Sequence, residues 1–137
     1  MKYSDKIENL LSKVDEIETK NFYLTQNLIQ EDCSCEDCKF YQEKFIKLSL
    51  DIYLKLNDCG VDLRKNINDE PTGVWVIREK EILIHCEPAY RLFGNFKDLK
   101  EDIYETINDN YKVTTQVFKN DNSFVTLYLT IDNINEL

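Results

Sequence analysis

Glycine and proline are scarce in this chain, three and two residues among 137. That leaves little room for long flexible linkers. A single domain over residues 1–137 is expected, long enough to bury a core without disulfides. No run approaches the ~20 apolar residues that cross a bilayer, so no membrane helix is expected. Met1 to Lys20, MKYSDKIENLLSKVDEIETK, is charged throughout. No secretory leader is expected there, and the protein reads as cytoplasmic with its thiols reduced. The cysteines number five, an odd count that fits no closed disulfide framework. Basic residues are in deficit, 17 against 26 acidic ones, for a net charge of −9. Such a chain repels nucleic-acid phosphates and anionic membranes, so neither is expected as a partner. An acidic surface keeps a protein soluble, and it also draws basic partners.

Catalytic apparatus is scarce as well. His85 is the only histidine, which excludes a histidine base oriented by a second histidine. A lone histidine beside apolar residues fits a hydrogen-bonded structural role. There is no G-x-S-x-G, no H-E-x-x-H and no phosphate-cradling glycine loop. Carboxylates abound, but none stands in a context that predicts a shifted pKa. A non-enzymatic protein is expected.

What is present is a folded-protein composition, 42% hydrophobic and 12% aromatic, which a disordered chain does not reach. Ser4 can cap a helix that carries Ile7, Leu10, Leu11, Val14 and Ile17 at helical spacing. Phe22-Tyr23-Leu24 and Leu28-Ile29 flank a turn-like Thr25-Gln26-Asn27 and suit a short strand or an irregular approach to the cysteines. From Asp37 to Asp58 a second helix is predicted, with Tyr41, Phe45, Leu48, Ile52 and Leu56 as its inner row. Ile46, Leu50, Tyr53 and Leu54 widen that row, and Gly60 closes the helix. The period then changes to two. Gly73–Arg78 and Glu81–Cys86 predict a hairpin with Trp75 in the core. Asp98 is expected to cap a short third helix using Leu99, Ile103, Tyr104 and Ile107. Tyr111–Phe118 and Ser123–Ile131 are strand-like. The sum is an α+β fold, an antiparallel sheet packed against two main helices plus a short third helix.

The densest chemistry lies in Asp32-Cys33-Ser34-Cys35-Glu36-Asp37-Cys38, at the start of the second helix. Three explanations compete. Zn²⁺ takes thiolates at about 2.3 Å and closes structural sites with four ligands. Cys33, Cys35 and Cys38 would supply three, and His85, Cys86 or Cys59 the fourth. His85 and Cys86 are strand neighbours on opposite faces, so at most one of them would join. A thiol-dependent redox enzyme is the second explanation, although Asp32, Glu36 and Asp37 are expected to raise the thiol pKa and oppose it. Plain packing of small buried thiols on a sheet is the third.

Aromatic and acidic residues cluster further on. Tyr90 and Phe93, in Tyr90-Arg91-Leu92-Phe93, are of the type that anchors interfaces. Asp98, Glu101, Asp102 and Glu105 are expected on the outer face of the third helix, where they would be solvated or would meet a basic partner.

Cys33-Ser34-Cys35-Glu36-Asp37-Cys38 before a helix, followed by Gly60-Val61-Asp62-Leu63-Arg64-Lys65, resembles a family of small, poorly characterised bacterial cytosolic proteins. These share a C-x-C-x-x-C helix entry and a G-[IV]-D-x-x-K exit, and Tyr90–Gly94 echoes their Y-x-x-x-G element. Asn66-Ile67 stands here where the family leads on to a proline. Cys33, Cys35, Cys38, Gly60 and Asp62 occupy the signature positions. Members often occur beside secreted toxin genes, so the resemblance implies an immunity-protein-like inhibitor. The expected function is neutralisation of a basic bacterial toxin domain through the acidic face, with a zinc-binding module and a thiol-dependent redox enzyme as alternatives.

Overall fold

The first apolar row folds as two helices, not one. The structure, a computed structural model, describes residues 5–33, 35–48, 50–65, 67, 75–79, 82–108 and 111–132, with 75–79, 82–87 and 107–108 described by their backbone. Helix α1 (Asp5–Ser12) buries Ile7 and Leu10. Asp15 takes extended backbone and its carboxylate accepts the Glu18 amide, starting α2 (Glu16–Leu24). A local cap therefore cuts the helix predicted through Ile17, and Ile17 is exposed. Phe22-Tyr23-Leu24 is the last turn of α2, neither strand nor irregular segment.

The predicted helix from Asp37 to Asp58 is also broken. It comprises α4 (Glu36–Glu43), a 3-10 turn (Phe45–Lys47) and α5 (Asp51–Asp58), preceded by the single turn of α3 (Ile29–Asp32). Lys44 leaves helical geometry at φ −125°, and Leu50 is extended at the start of α5. The reason is the width of the apolar row. Phe45, Leu50, Ile52, Tyr53 and Leu56 are all buried, more than one straight helix face accommodates. Re-aiming the chain at the break brings them to one core, and the Tyr53 hydroxyl donates to the Phe45 carbonyl at 3.4 Å.

Among the described residues six strands form one antiparallel sheet: β1 (Trp75–Glu79), β2 (Ile82–Glu87), β3 (Ala89–Phe93), β4 (Ile103–Asn108), β5 (Lys112–Lys119) and β6 (Phe124–Asp132). Their order is β1-β2-β6-β5-β4, with β3 also on β6. Cys86 pairs with Ile131 and Ala89 with Tyr128, the same register. Thus β2 and β3 form one line along β6, interrupted at Pro88, which has no N–H to give but accepts the Leu129 amide at 3.0 Å. The α+β class with an antiparallel sheet against helices is as expected, and β1–β2 is the predicted hairpin. Trp75's side chain lies outside the described residues.

The helix predicted after Asp98 is strand β4, its Ile103 opposite Val117 and its Tyr104 opposite Gln116 on β5. Ile103 and Ile107 are four residues apart, a spacing that suits one face of a strand as well as of a helix. β-branched Ile103, Thr106 and Ile107 favour the strand. Ile103 is buried while Tyr104 is exposed, the alternation of a half-buried sheet.

Helix α2 closes the outer edge of β3 with side chains. Thr19 Oγ1 accepts the Phe93 amide at 3.0 Å and donates to the Phe93 carbonyl at 3.3 Å. One turn on, the Tyr23 hydroxyl accepts the Arg91 amide at 2.8 Å and donates to the Arg91 carbonyl at 3.1 Å. The core lies between the helices and the inner face of the sheet. There the Tyr41 hydroxyl donates to the Leu63 carbonyl and meets the Tyr90 hydroxyl, both at 2.7 Å.

Candidate metal centre

The cysteines sit where α3 hands over to α4. Ile29 donates to the Arg64 carbonyl at 2.9 Å, and Lys65 Nζ reaches the Gln26 carbonyl at 2.8 Å, which pins α3 to the segment after α5. Cys33 then takes extended backbone (φ −150°, ψ 128°) and ends α3. Cys35, also extended (φ −65°, ψ 164°), is the N-cap of α4, its Sγ accepting the Cys38 amide at 3.4 Å. Cys33 Sγ accepts the Cys35 amide at 3.5 Å. The three sulfurs lie within 4.8 Å of one another. Tetrahedral thiolates at the usual zinc–sulfur distance stand about 3.8 Å apart, so three sulfurs this close could hold one metal ion.

Exposure grades across the cluster, from exposed Cys35 through half-buried Cys33 to buried Cys38. The two end thiols differ in acidity. Burial, and next the neighbouring sulfurs, push Cys38 far above the ordinary thiol range. Cys35 is lowered, first by the Cys38 amide and then by its hydrogen bond with Cys33. The expectation that Asp32, Glu36 and Asp37 raise all three thiols therefore fails at Cys35, where helix-start donors act at hydrogen-bond range. Among the described residues no carboxylate joins the sulfur group; Asp32 instead accepts from Asn27 at 3.0 Å.

Of the three expected fourth ligands, only Cys59 has a described side chain. The Cys59 thiol points to the Leu11 carbonyl at 4.0 Å, under α1, and is not part of the group. On β2, His85 stands opposite Asp132 and Cys86 opposite Ile131, and their side chains lie outside the described residues.

The expected partner-binding residues are not gathered on a helix face. Tyr90 is buried and bonded to Tyr41, so it offers nothing to a partner. Phe93 is half-buried, its ring 4.9 Å from Phe22 and 5.6 Å from Phe124. Asp98, Glu101 and Asp102 are exposed ahead of β4, among Lys97 and Lys100, and Asp102 accepts the Lys119 amide at 3.4 Å. Glu105 is half-buried on β4.

Sequence reasoning missed the outer face of the sheet. Tyr104, Phe118 and Tyr128 are exposed there, and Arg91 lies 5.3 Å from the Phe22 ring and 5.0 Å from Phe124. The period-two alternation of Phe124–Ile131 held the signal for Tyr128. Also unforeseen is a cleft of about 430 Å³ between α2 and the end of α5. Asp62 lies on it, held below the usual carboxylate range first by its paired Arg64 side chain, 2.9 Å away. No protein-family model matches the chain, nor does any curated protein or solved structure.

Proposed function

We propose that the protein binds zinc through Cys33, Cys35 and Cys38. The observation that carries this reading is the convergence of three sulfurs within 4.8 Å at the head of α4. An all-sulfur donor set favours thiophilic ions such as Zn²⁺ over Mg²⁺ or Ca²⁺. Backbone N–H groups of Cys35 and Cys38 already point at two of the sulfurs, the outer-shell support that anionic thiolates need. The bound metal would fix the turn between α3 and α4, with His85 or Cys86 as the candidate fourth ligand. The test is elemental mass spectrometry on protein purified under reducing conditions. One zinc per chain, lost in Cys38→Ser, is expected. Wild-type protein that holds no zinc after loading and desalting overturns the reading.

A second reading is favoured by the outer sheet face. Tyr104 is 69% exposed, and Phe118 and Tyr128 meet edge-on at 5.6 Å beside the turn that carries Asp98, Glu101 and Asp102. Exposed aromatics beside carboxylates, on a chain of charge −9, suit a basic protein partner such as a bacterial toxin domain, which the chain would neutralise by blocking it. Here Tyr104 and Phe118 replace Tyr90 as the anchors. Binding to a basic toxin domain should weaken with salt and fall at least ten-fold in Tyr104→Ala/Phe118→Ala. Salt-independent binding, or none, removes this reading.

A further inference from the structure

Cys35 and Cys38 stand in unequal positions on one helical turn. Cys35 is exposed at the N-cap, while Cys38, three residues on, is buried against the core. Helical rise places such Cα atoms about 5 Å apart, inside the range a disulfide spans. Their sulfurs are already within 4.8 Å of one another. Cys33 is differently placed. It precedes the helix on extended backbone, and extended Cys35 follows two positions later, so that pair shares no helical turn.

We propose that Cys35 and Cys38 form a dithiol–disulfide couple that exchanges with low-molecular-weight disulfides, Cys35 attacking and Cys38 resolving. The exposed Cys35 thiolate attacks one sulfur of the incoming disulfide, forms a mixed disulfide and expels the first thiolate. Cys38 then gives its proton to solvent and attacks the Cys35 sulfur. The mixed disulfide breaks, and the second small thiolate leaves. Two protein thiols have been oxidised to one intramolecular disulfide, and one small disulfide has been reduced to two thiols. Burial of Cys38 keeps it from competing as the entry point, and its position one turn below keeps it within reach for the second step. This activity stands independently of zinc, but the two exclude each other on one molecule, since the disulfide consumes two of the three ligands.

The experiment uses full-length protein freed of metal with a chelator under reducing conditions, then equilibrated with oxidised and reduced glutathione, acid-quenched, alkylated and peptide-mapped. Wild type is expected to give a Cys35–Cys38 disulfide as the dominant oxidised species. Cys38→Ser should accumulate glutathione on Cys35, and Cys35→Ser should react at least ten-fold more slowly. A dominant bridge involving Cys33, adducts concentrated on Cys33 or Cys59, or no intramolecular disulfide overturns the proposal. The wild-type map decides even if a variant folds poorly. Because metal is removed beforehand, failure here leaves the zinc measurement untouched, and failure of zinc loading leaves this one interpretable.

Discussion

A methyl group on Gly60 would lie 2.5 Å from the Glu16 carbonyl oxygen and 2.9 Å from the Lys20 amide nitrogen, at a φ of +93°. Both penalties act together. The left-handed backbone disfavours any side chain, and the added atom would push α2 away from the end of α5. Gly60→Ala is expected to destabilise the fold by about 1–3 kcal/mol, read as a lower urea midpoint with unchanged slope. Gly94 meets a different limit. Its φ is not positive, but a Cβ there would collide with the Lys13 carbonyl, where Val14 and Gly94 form a bridge. In a chain with three glycines, these two admit the α1–α2 pair, one at α5 and one at β3. Their small size, not only their backbone freedom, is what the fold uses.

At the scale of elements, the contact between α2 and β3 does the work of a strand pairing. An edge strand must have its N–H and C=O groups satisfied or guarded. Thr19 and Tyr23, four residues apart on one face of α2, serve Phe93 and Arg91 in turn. Thr19→Val keeps the shape and leaves the Phe93 amide without its acceptor; the loss should be about 1–3 kcal/mol. Amide exchange should rise at least ten-fold at Phe93 and little at Tyr90 and Leu92, whose amides belong to the side facing β6. Equal acceleration across β3 would mean that global stability, not this edge, had changed. None of this was legible in the sequence, because a buried Thr and a Tyr four apart look like any helix face. The paired strands β5 and β6 were legible, since alternation is local. Strand β4 was not, because a spacing of four satisfies both periods and its partner β5 decides between them. The three close cysteines were equally plain in the sequence. Their graded exposure was not, as it depends on which side of α4 meets the core.

For the molecule as a whole, the two most strongly shifted groups among the described residues titrate with the same sign. Burial raises Tyr23 above its ordinary 10.0 and Cys38 above its ordinary 9.0, so the folded state holds both protons more tightly than the unfolded chain does. Their contribution is full below those ordinary values and is lost as pH rises past them. Cys35 is lowered and has the opposite sign, but it is exposed, and solvent screening leaves it the smaller effect. The net charge of −9 becomes more negative over the same interval, which adds repulsion. Metal-free protein should therefore lose thermal stability from about pH 9 upward, and more steeply above about pH 10, where the phenol adds to the thiol. Zinc reverses the sign at the cysteines. A bound ion requires the thiolates, protons compete with it, and the stability it adds is lost as pH falls. Melting curves of metal-free and zinc-loaded protein across this interval should diverge as pH rises, the loaded form gaining relative to the free one. Parallel curves would mean that the ion sits elsewhere than on the Cys38 sulfur. In Tyr23→Phe the alkaline loss should be shallower in both forms, since that phenol no longer titrates while the cysteines are untouched.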